Sequence, residues 1–128
     1  MTPSQIGNIT EARILAELAS RGMNVLVPFG QGLPYDLVVE KDGKFQRVQC
    51  KTGALRNGVV VFNTSSDDHG SYEGLVDVFA VFCPQNGKVY WVPIAAAGTQ
   101  TGMYLRVDPP KNGQVKNIRY AREFELGV

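Results

Sequence analysis

A chain of 128 residues, 44% hydrophobic and 20% charged, is long enough for one packed core and too apolar to be disordered as a whole. Lys and Arg number 13 against 12 Asp and Glu, and the resulting net charge of +1, taken as a single number, speaks against a strongly basic nucleic-acid binder. No apolar run approaches the ~20 residues of a membrane span, and Met1-Thr2-Pro3-Ser4-Gln5 has neither the basic nor the apolar segment of an export signal, so the expectation is one cytoplasmic domain over residues 1–128.

The elements follow in chain order. Thr2 can cap a helix with Pro3 in its first turn and Gln5 closing a capping box. Ile6, Ile9, Leu15 and Leu18 then recur at amphipathic helical spacing until Gly22. A short strand is predicted over 24–28, and 29–34, with two glycines between flanking prolines, make a loop. Strands over 35–41 and 44–52 are joined by Asp42-Gly43, a strong type I′ hairpin signal. A further strand over 59–62 follows the turn at Asn57-Gly58, and 63–71 reads as a polar loop. Strands over 76–83 and 89–92 form a second hairpin across Asn86-Gly87. Residues 94–97 make one helical turn ended by Gly98, 103–107 a late strand and 108–113 a loop. The tail from Asn117 to 126 fits either a strand or a short helix. The fold class is α/β (α+β), a helix followed by a mixed, largely antiparallel sheet. Cys50 and Cys83 each sit inside an apolar run, as free thiols of a reducing compartment do.

Divided along the chain, the charge is uneven. Residues 1–40 are net −2, and 41–56 carry Lys41, Lys44, Arg47, Lys51 and Arg56 against Asp42 alone, a net +4. Residues 57–87 lack Lys and Arg and are net −4, while 88–128 are net +3. A neutral total is therefore compatible with a basic stripe beside an acidic pocket, as well as with ordinary solvated charge.

If Asp42-Gly43 is a two-residue turn, directly opposed residues of the first hairpin have numbers summing to 85. Asp36 then lies opposite Gln49, with Lys51 its diagonal neighbour on the same face. Leu37, Val39 and Val48 turn to the core. An acid, an amide and an ammonium converging at the open end of a hairpin suit phosphodiester hydrolysis. Asp36 can hold a hard cation, Gln49 and the main-chain carbonyl of Cys50 can add neutral oxygens, and Lys51 can orient water or offset developing charge. By spacing alone, a cross-strand polar pair on a solvated face accounts for the same residues. His69, beside Asp67 and Asp68 in a polar loop, has no second histidine with which to build a metal cluster or a catalytic triad.

Gly7-Asn8-Ile9-Thr10-Glu11, Val27-Pro28, Pro34-Tyr35-Asp36-Leu37-Val38-Val39-Glu40 and Val48-Gln49-Cys50-Lys51-Thr52, in this order and spacing, resemble the signature of the PD-(D/E)XK nuclease superfamily. The likeness is greatest to its small intron-associated homing endonucleases and more remote to Holliday-junction resolvases. Val76 through Pro84, Lys88 through Pro93 and Asn117-Ile118-Arg119-Tyr120-Ala121 share it, so it spans most of the chain. The resemblance implies a restriction-endonuclease-like core with flanking helices, and a metal-dependent DNA endonuclease of homing or junction-resolving type.

By the same resemblance, Asp36 is the metal-binding acid, Gln49 stands where Asp or Glu is usual, Lys51 is the pattern's lysine, and Glu11 is the helix glutamate that completes the metal site. Tyr35 separates the proline from the acid, a position where members vary. Glu11, Asp36, Gln49 and the Cys50 carbonyl would hold Mg²⁺, with Mn²⁺ as a substitute. Gln31, Lys41, Lys44, Arg47, Thr52 and Arg56 are the candidate DNA contacts. Because one compact site cuts one strand, double-strand cleavage implies a homodimer or homotetramer. The alternative is a nuclease fold weakened by Gln49 that only binds DNA or a protein partner; a third possibility is an unrelated α/β protein.

Overall fold

Helix α1, Pro3–Ser20, begins as its sequence predicts: Thr2 Oγ1 accepts the Gln5 N–H at 3.2 Å and Gln5 Oε1 accepts the Thr2 N–H at 2.8 Å. The computed structural model describes residues 1–66, 70–97, 101–110, 112–113 and 118–126. Asp67, Asp68, His69, Gly98, Lys111 and Asn117 lie outside the described residues. The stripe that α1 buries is Thr10, Ile14 and Leu18, one residue per turn. Ile6 and Ile9, expected at the core, are 38% and 43% exposed: Ile6 lies on the same i, i+4 row but one turn ahead of its buried stretch, and Ile9 lies about 100° round the helix from Thr10.

Among the described residues ten strands follow: β1 (Asn24–Leu26), β2 (Leu37–Lys41), β3 (Lys44–Thr52), β4 (Ala54–Arg56), β5 (Val59–Asn63), β6 (Ser65–Ser66), β7 (Gly70–Ser71), β8 (Val78–Cys83), β9 (Lys88–Pro93) and β10 (Gly102–Arg106). The helical turn α2 (Ile94–Ala97) lies between β9 and β10, and the tail, open between strand and helix on sequence, forms a 3₁₀ turn at Ala121–Phe124. The short β6–β7 pair occupies part of what reads as loop, and β4 is a strand where the sequence reading assigns none. Among the described residues no helix is long and apolar enough to cross a membrane.

The main sheet has the order β1-β2-β3-β8-β9, in which only β3 and β8 run parallel. Asp42 and Gly43 both have positive φ, 54° and 79°, as a type I′ turn requires. This turn fixes the β2–β3 register from Lys41↔Lys44 to Leu37↔Val48, each pair summing to 85. All six residues of β8 are buried, as expected for an apolar run covered on both faces. Ala80 and Phe82 pack with Ile14 and Leu18 of α1, while Phe79, Val81 and Cys83 pack with Val60, Phe62 and Leu105 of a second, three-stranded sheet ordered β10-β5-β4. Helix, main sheet and second sheet thus make three layers. Phe79, Phe82 and Tyr90 are core residues, with Trp91 packed partly against the α1-side cluster that holds Phe82.

The chain passes from the main sheet to the second at Gly53. Its N–H donates to the Phe82 carbonyl at 2.8 Å, continuing the parallel ladder. A Cβ here would stand 2.8 Å from Val60 Cγ1 and 3.0 Å from Val81 Cγ1, so only glycine fits without displacing both valines.

Candidate active site

Strands β2 and β3 part company just where the acid sits. The ladder stops at Leu37↔Val48, one pair short of the expected Asp36 and Gln49. Asp36 instead donates its N–H to the Val48 carbonyl at 2.9 Å, and its carboxylate Oδ2 accepts the Cys50 N–H at 2.9 Å. A side chain therefore takes over where backbone pairing ends. Within a strand the N–H and C=O of one residue point to the same side, so the Cys50 carbonyl faces the same open edge as the Asp36 carboxylate. Cys50 turns its side chain toward the α1 layer, whereas Gln49 and Lys51, aligned with Phe79 and Val81 of β8, share the opposite face.

Glu11 reaches this edge from α1. It and Asp36 line one cleft of about 250 Å³ together with Gln31, Gly32 and Tyr35 from the loop ahead of β2. Thr10, next to Glu11, is 3% exposed, and its hydroxyl lies 2.6 Å from that of Thr52, next to Lys51. This hydrogen bond explains a polar residue in the buried stripe of α1 and ties the helix to the end of β3.

Lys51 Nζ donates to Tyr72 Oη at 3.4 Å and stands 4.9 Å from the centroid of the Tyr72 ring. The ring is 4% exposed and packs edge-on against Phe79, with centroids 5.5 Å apart. The ammonium is thereby held by a fixed aromatic. Nothing local in the sequence identifies Tyr72 as its partner, because the pairing depends on how β3 and the segment before β8 meet.

The two carboxyls are both pushed above their usual range. Burial raises Asp36, opposed by the Cys50 N–H and by the charge of Lys51. Burial and the charge of Asp36 raise Glu11. Burial first, and then the same two acids, raise the Cys50 thiol and keep it protonated. Half-buried acids that repel one another form a site that favours a cation. The hard oxygens at this edge are the two carboxylates and the Cys50 carbonyl, while Gln49 projects from the other face of β3 and does not line the cleft. Among the described residues no cluster of three or more His, Cys, Asp and Glu side chains is suited to a metal.

The other expected contacts lie elsewhere. Lys41 and Lys44 stand at the turn of the hairpin, five residues along the strand from Asp36 or about 17 Å. Arg47 is engaged: its guanidinium makes two bonds to the Asp77 carboxylate, at 3.0 and 3.1 Å, and one to the Gly74 carbonyl. Arg56 ends β4 on the second sheet.

A sequence profile described as PD-(D/E)XK endonuclease matches residues 1–127. Among solved structures, that of a bacterial homing endonuclease, I-Ssp6803I, is similar in fold, with a TM-score of 0.74 and 19% identity, covering 97% of this chain and 86% of that one. No curated protein sequence matches the chain.

Proposed function

The chain belongs to the PD-(D/E)XK endonuclease family, and on that premise we propose that it is a metal-dependent DNA endonuclease whose site is Glu11, Asp36, Gln49 and Lys51. The observation that carries this reading is the Asp36 carboxylate on the Cys50 N–H, at an open strand edge and within electrostatic reach of both Glu11 and Lys51.

Glu11, Asp36 and the Cys50 carbonyl would hold Mg²⁺, or Mn²⁺ in its place. When bound, the ion supplies charge stabilisation to the phosphate and acidifies water. Everything else is the work of the chain. The Cys50 N–H fixes the Asp36 carboxylate, and the Thr10–Thr52 bond sets Glu11 against β3. The Lys51 ammonium, steadied by Tyr72, offers positive charge to a non-bridging phosphate oxygen and orients the attacking water. Gln49 brings no charge, which makes Glu11 the second anionic ligand.

The fold likeness to a homing endonuclease supports a duplex cutter ahead of a junction resolvase. Cutting both strands then calls for a symmetric homodimer or homotetramer. The test is cleavage of plasmid, linear duplex and four-way junction DNA with Mg²⁺ or Mn²⁺. Asp36→Ala and Lys51→Ala are expected to abolish nicking while circular dichroism stays native. Wild-type protein that cuts none of these substrates with either ion overturns the proposal. Mg²⁺-independent DNA binding by the same protein would then point to the weakened, binding-only alternative.

A further inference from the structure

The second sheet has an outer face that the proposed site leaves unused. Val60, Phe62, Met103 and Leu105 point inward and are buried, so the alternate residues of β5 and β10 point outward. The register sets Arg56, Val59 and Arg106 in one cross-strand row on that outer face, with Ala54, Val61 and Tyr104 in another. A parallel bridge from Arg106 to Tyr120 extends the first row, and the Arg122 guanidinium lies 4.5 Å from the centroid of the Tyr120 ring. Tyr104 is 63% exposed. Arg56 and Arg106 stand two strands apart, about 10 Å.

The basic segment that ends at Arg56 and the basic C-terminal third, far apart in sequence, thus meet on one face. Among the described residues, the ion pairs engage Arg21, Arg47 and Lys88, and none of Arg56, Arg106 and Arg122. Asp108, packed against Gly58 beside Arg106, is the acid at this end of the row, and it leaves the row with excess positive charge. Unpaired guanidinium groups in a line, interleaved with tyrosine rings, are complementary to a polyanionic backbone. A shared edge of main-chain donors is not needed for this, because the contact is made by side chains on a sheet face.

We propose that the outer face of the β10-β5-β4 sheet is a DNA-binding surface that holds the phosphate backbone away from the scissile bond, without reading sequence. This rests on the endonuclease reading and adds to it a second contact with the same substrate. The experiment is fluorescence anisotropy of a mixed-sequence labelled duplex, titrated with the full chain in Ca²⁺ over a series of salt concentrations, with cleavage kinetics in Mg²⁺ alongside. Arg56→Gln combined with Arg106→Gln is expected to weaken binding about tenfold or more and to lower the log–log salt slope by about two. The same double variant should raise KM and leave kcat unchanged. Arg21→Gln, at the end of α1 on the opposite layer, serves as a control for the loss of a surface arginine elsewhere and should change neither. Wild-type affinity and salt slope in the double variant, with the wild type binding DNA, overturn this inference alone. A change of oligomeric state by light scattering, with DNA affinity retained, overturns it in favour of a subunit contact. A wild type with no salt-dependent affinity for DNA overturns both this inference and the endonuclease reading.

Discussion

Thr10 and Thr52 share a hydroxyl–hydroxyl hydrogen bond of 2.6 Å across 42 residues of sequence, and each immediately neighbours a candidate site residue, Glu11 on the helix and Lys51 on the strand. The bond is therefore a spacer between two charged groups. Thr10→Val keeps the β-branched shape and removes the hydroxyl. It is expected to destabilise the fold by about 1 kcal/mol and to lower kcat more than it raises KM. Denaturant unfolding combined with steady-state cleavage checks both. A Thr10→Val, Thr52→Val double-mutant cycle with no coupling energy would show that the two hydroxyls do not act together.

Tyr72 holds Lys51 with both its hydroxyl and its ring, and the two can be separated. Tyr72→Phe retains the ring and its edge contact with Phe79. Cleavage should slow about three- to tenfold, a range set by one long bond to a charged donor. Unfolding midpoint and KM should stay near wild type. Tyr72→Leu also removes the ring and should slow cleavage further, with a measurable loss of stability.

Asp36 bears a conflict between stability and chemistry. An acid whose folded pKa lies above its unfolded value opposes folding while ionised, and stops opposing it as pH falls through the folded value. Burial raises both Asp36 and Glu11, so the metal-free protein should gain from these two groups on mild acidification. Asp36→Asn, which keeps an acceptor for the Cys50 N–H, should raise the melting temperature of the metal-free protein at neutral pH and abolish cleavage. Mg²⁺ at a hundredfold excess over its Kd should stabilise wild type by about 2.7 kcal/mol and leave the variant unmoved. Scanning calorimetry with and without the ion tests both statements.

The pair formed by Arg47 and Asp77 has the opposite pH sign. The Arg47 guanidinium and backbone N–H hold the Asp77 carboxyl below its usual range. Its contribution is present at neutral pH, above the ordinary carboxylate range, and is lost as pH falls through the lowered folded value. Both side chains are more than a third exposed, which limits the contribution to about 0.5–1 kcal/mol after solvent screening. Asp77→Asn should flatten the acid limb of the stability profile below about pH 4 and leave the neutral limb lowered by that amount. An acid limb with wild-type slope in the variant would exclude this pair as its source.

The local elements were legible because their signals are local. The capping box at Thr2 and Gln5 and the turn at Asp42-Gly43 sit where the sequence places them, and the turn carried the register of five pairs with it. The register failed one step later, at Asp36, because a side chain replaced the backbone partner there. β4 is not legible because Ala54-Leu55-Arg56 is too short for a periodic signal, between Gly53 and the turn at Asn57-Gly58, and the crowding at Gly53 is what reveals a change of sheet. Arg47 read as a phosphate contact because its acid, Asp77, lies 30 residues on and meets it only through the parallel β3–β8 pairing. The pairing of Tyr72 with Lys51 is out of reach of the sequence for the same reason. Of the candidate site, chain order supplied Asp36, Gln49 and Lys51 as a group, and packing added the residues that hold them in position.

Gly53 gives the molecule a mechanical character. It joins the strand that carries Lys51 directly to the strand that ends in Arg56, with no slack between them. A pull on the outer sheet is therefore transmitted along one continuous ribbon to the candidate site. A duplex seated on the outer sheet is thus held at a set distance from the lysine, so the ribbon acts as a ruler between the two contacts. Gly53→Ala, by forcing Val60 and Val81 apart, would loosen the coupling at its narrowest point and let the two sheets answer to the substrate separately.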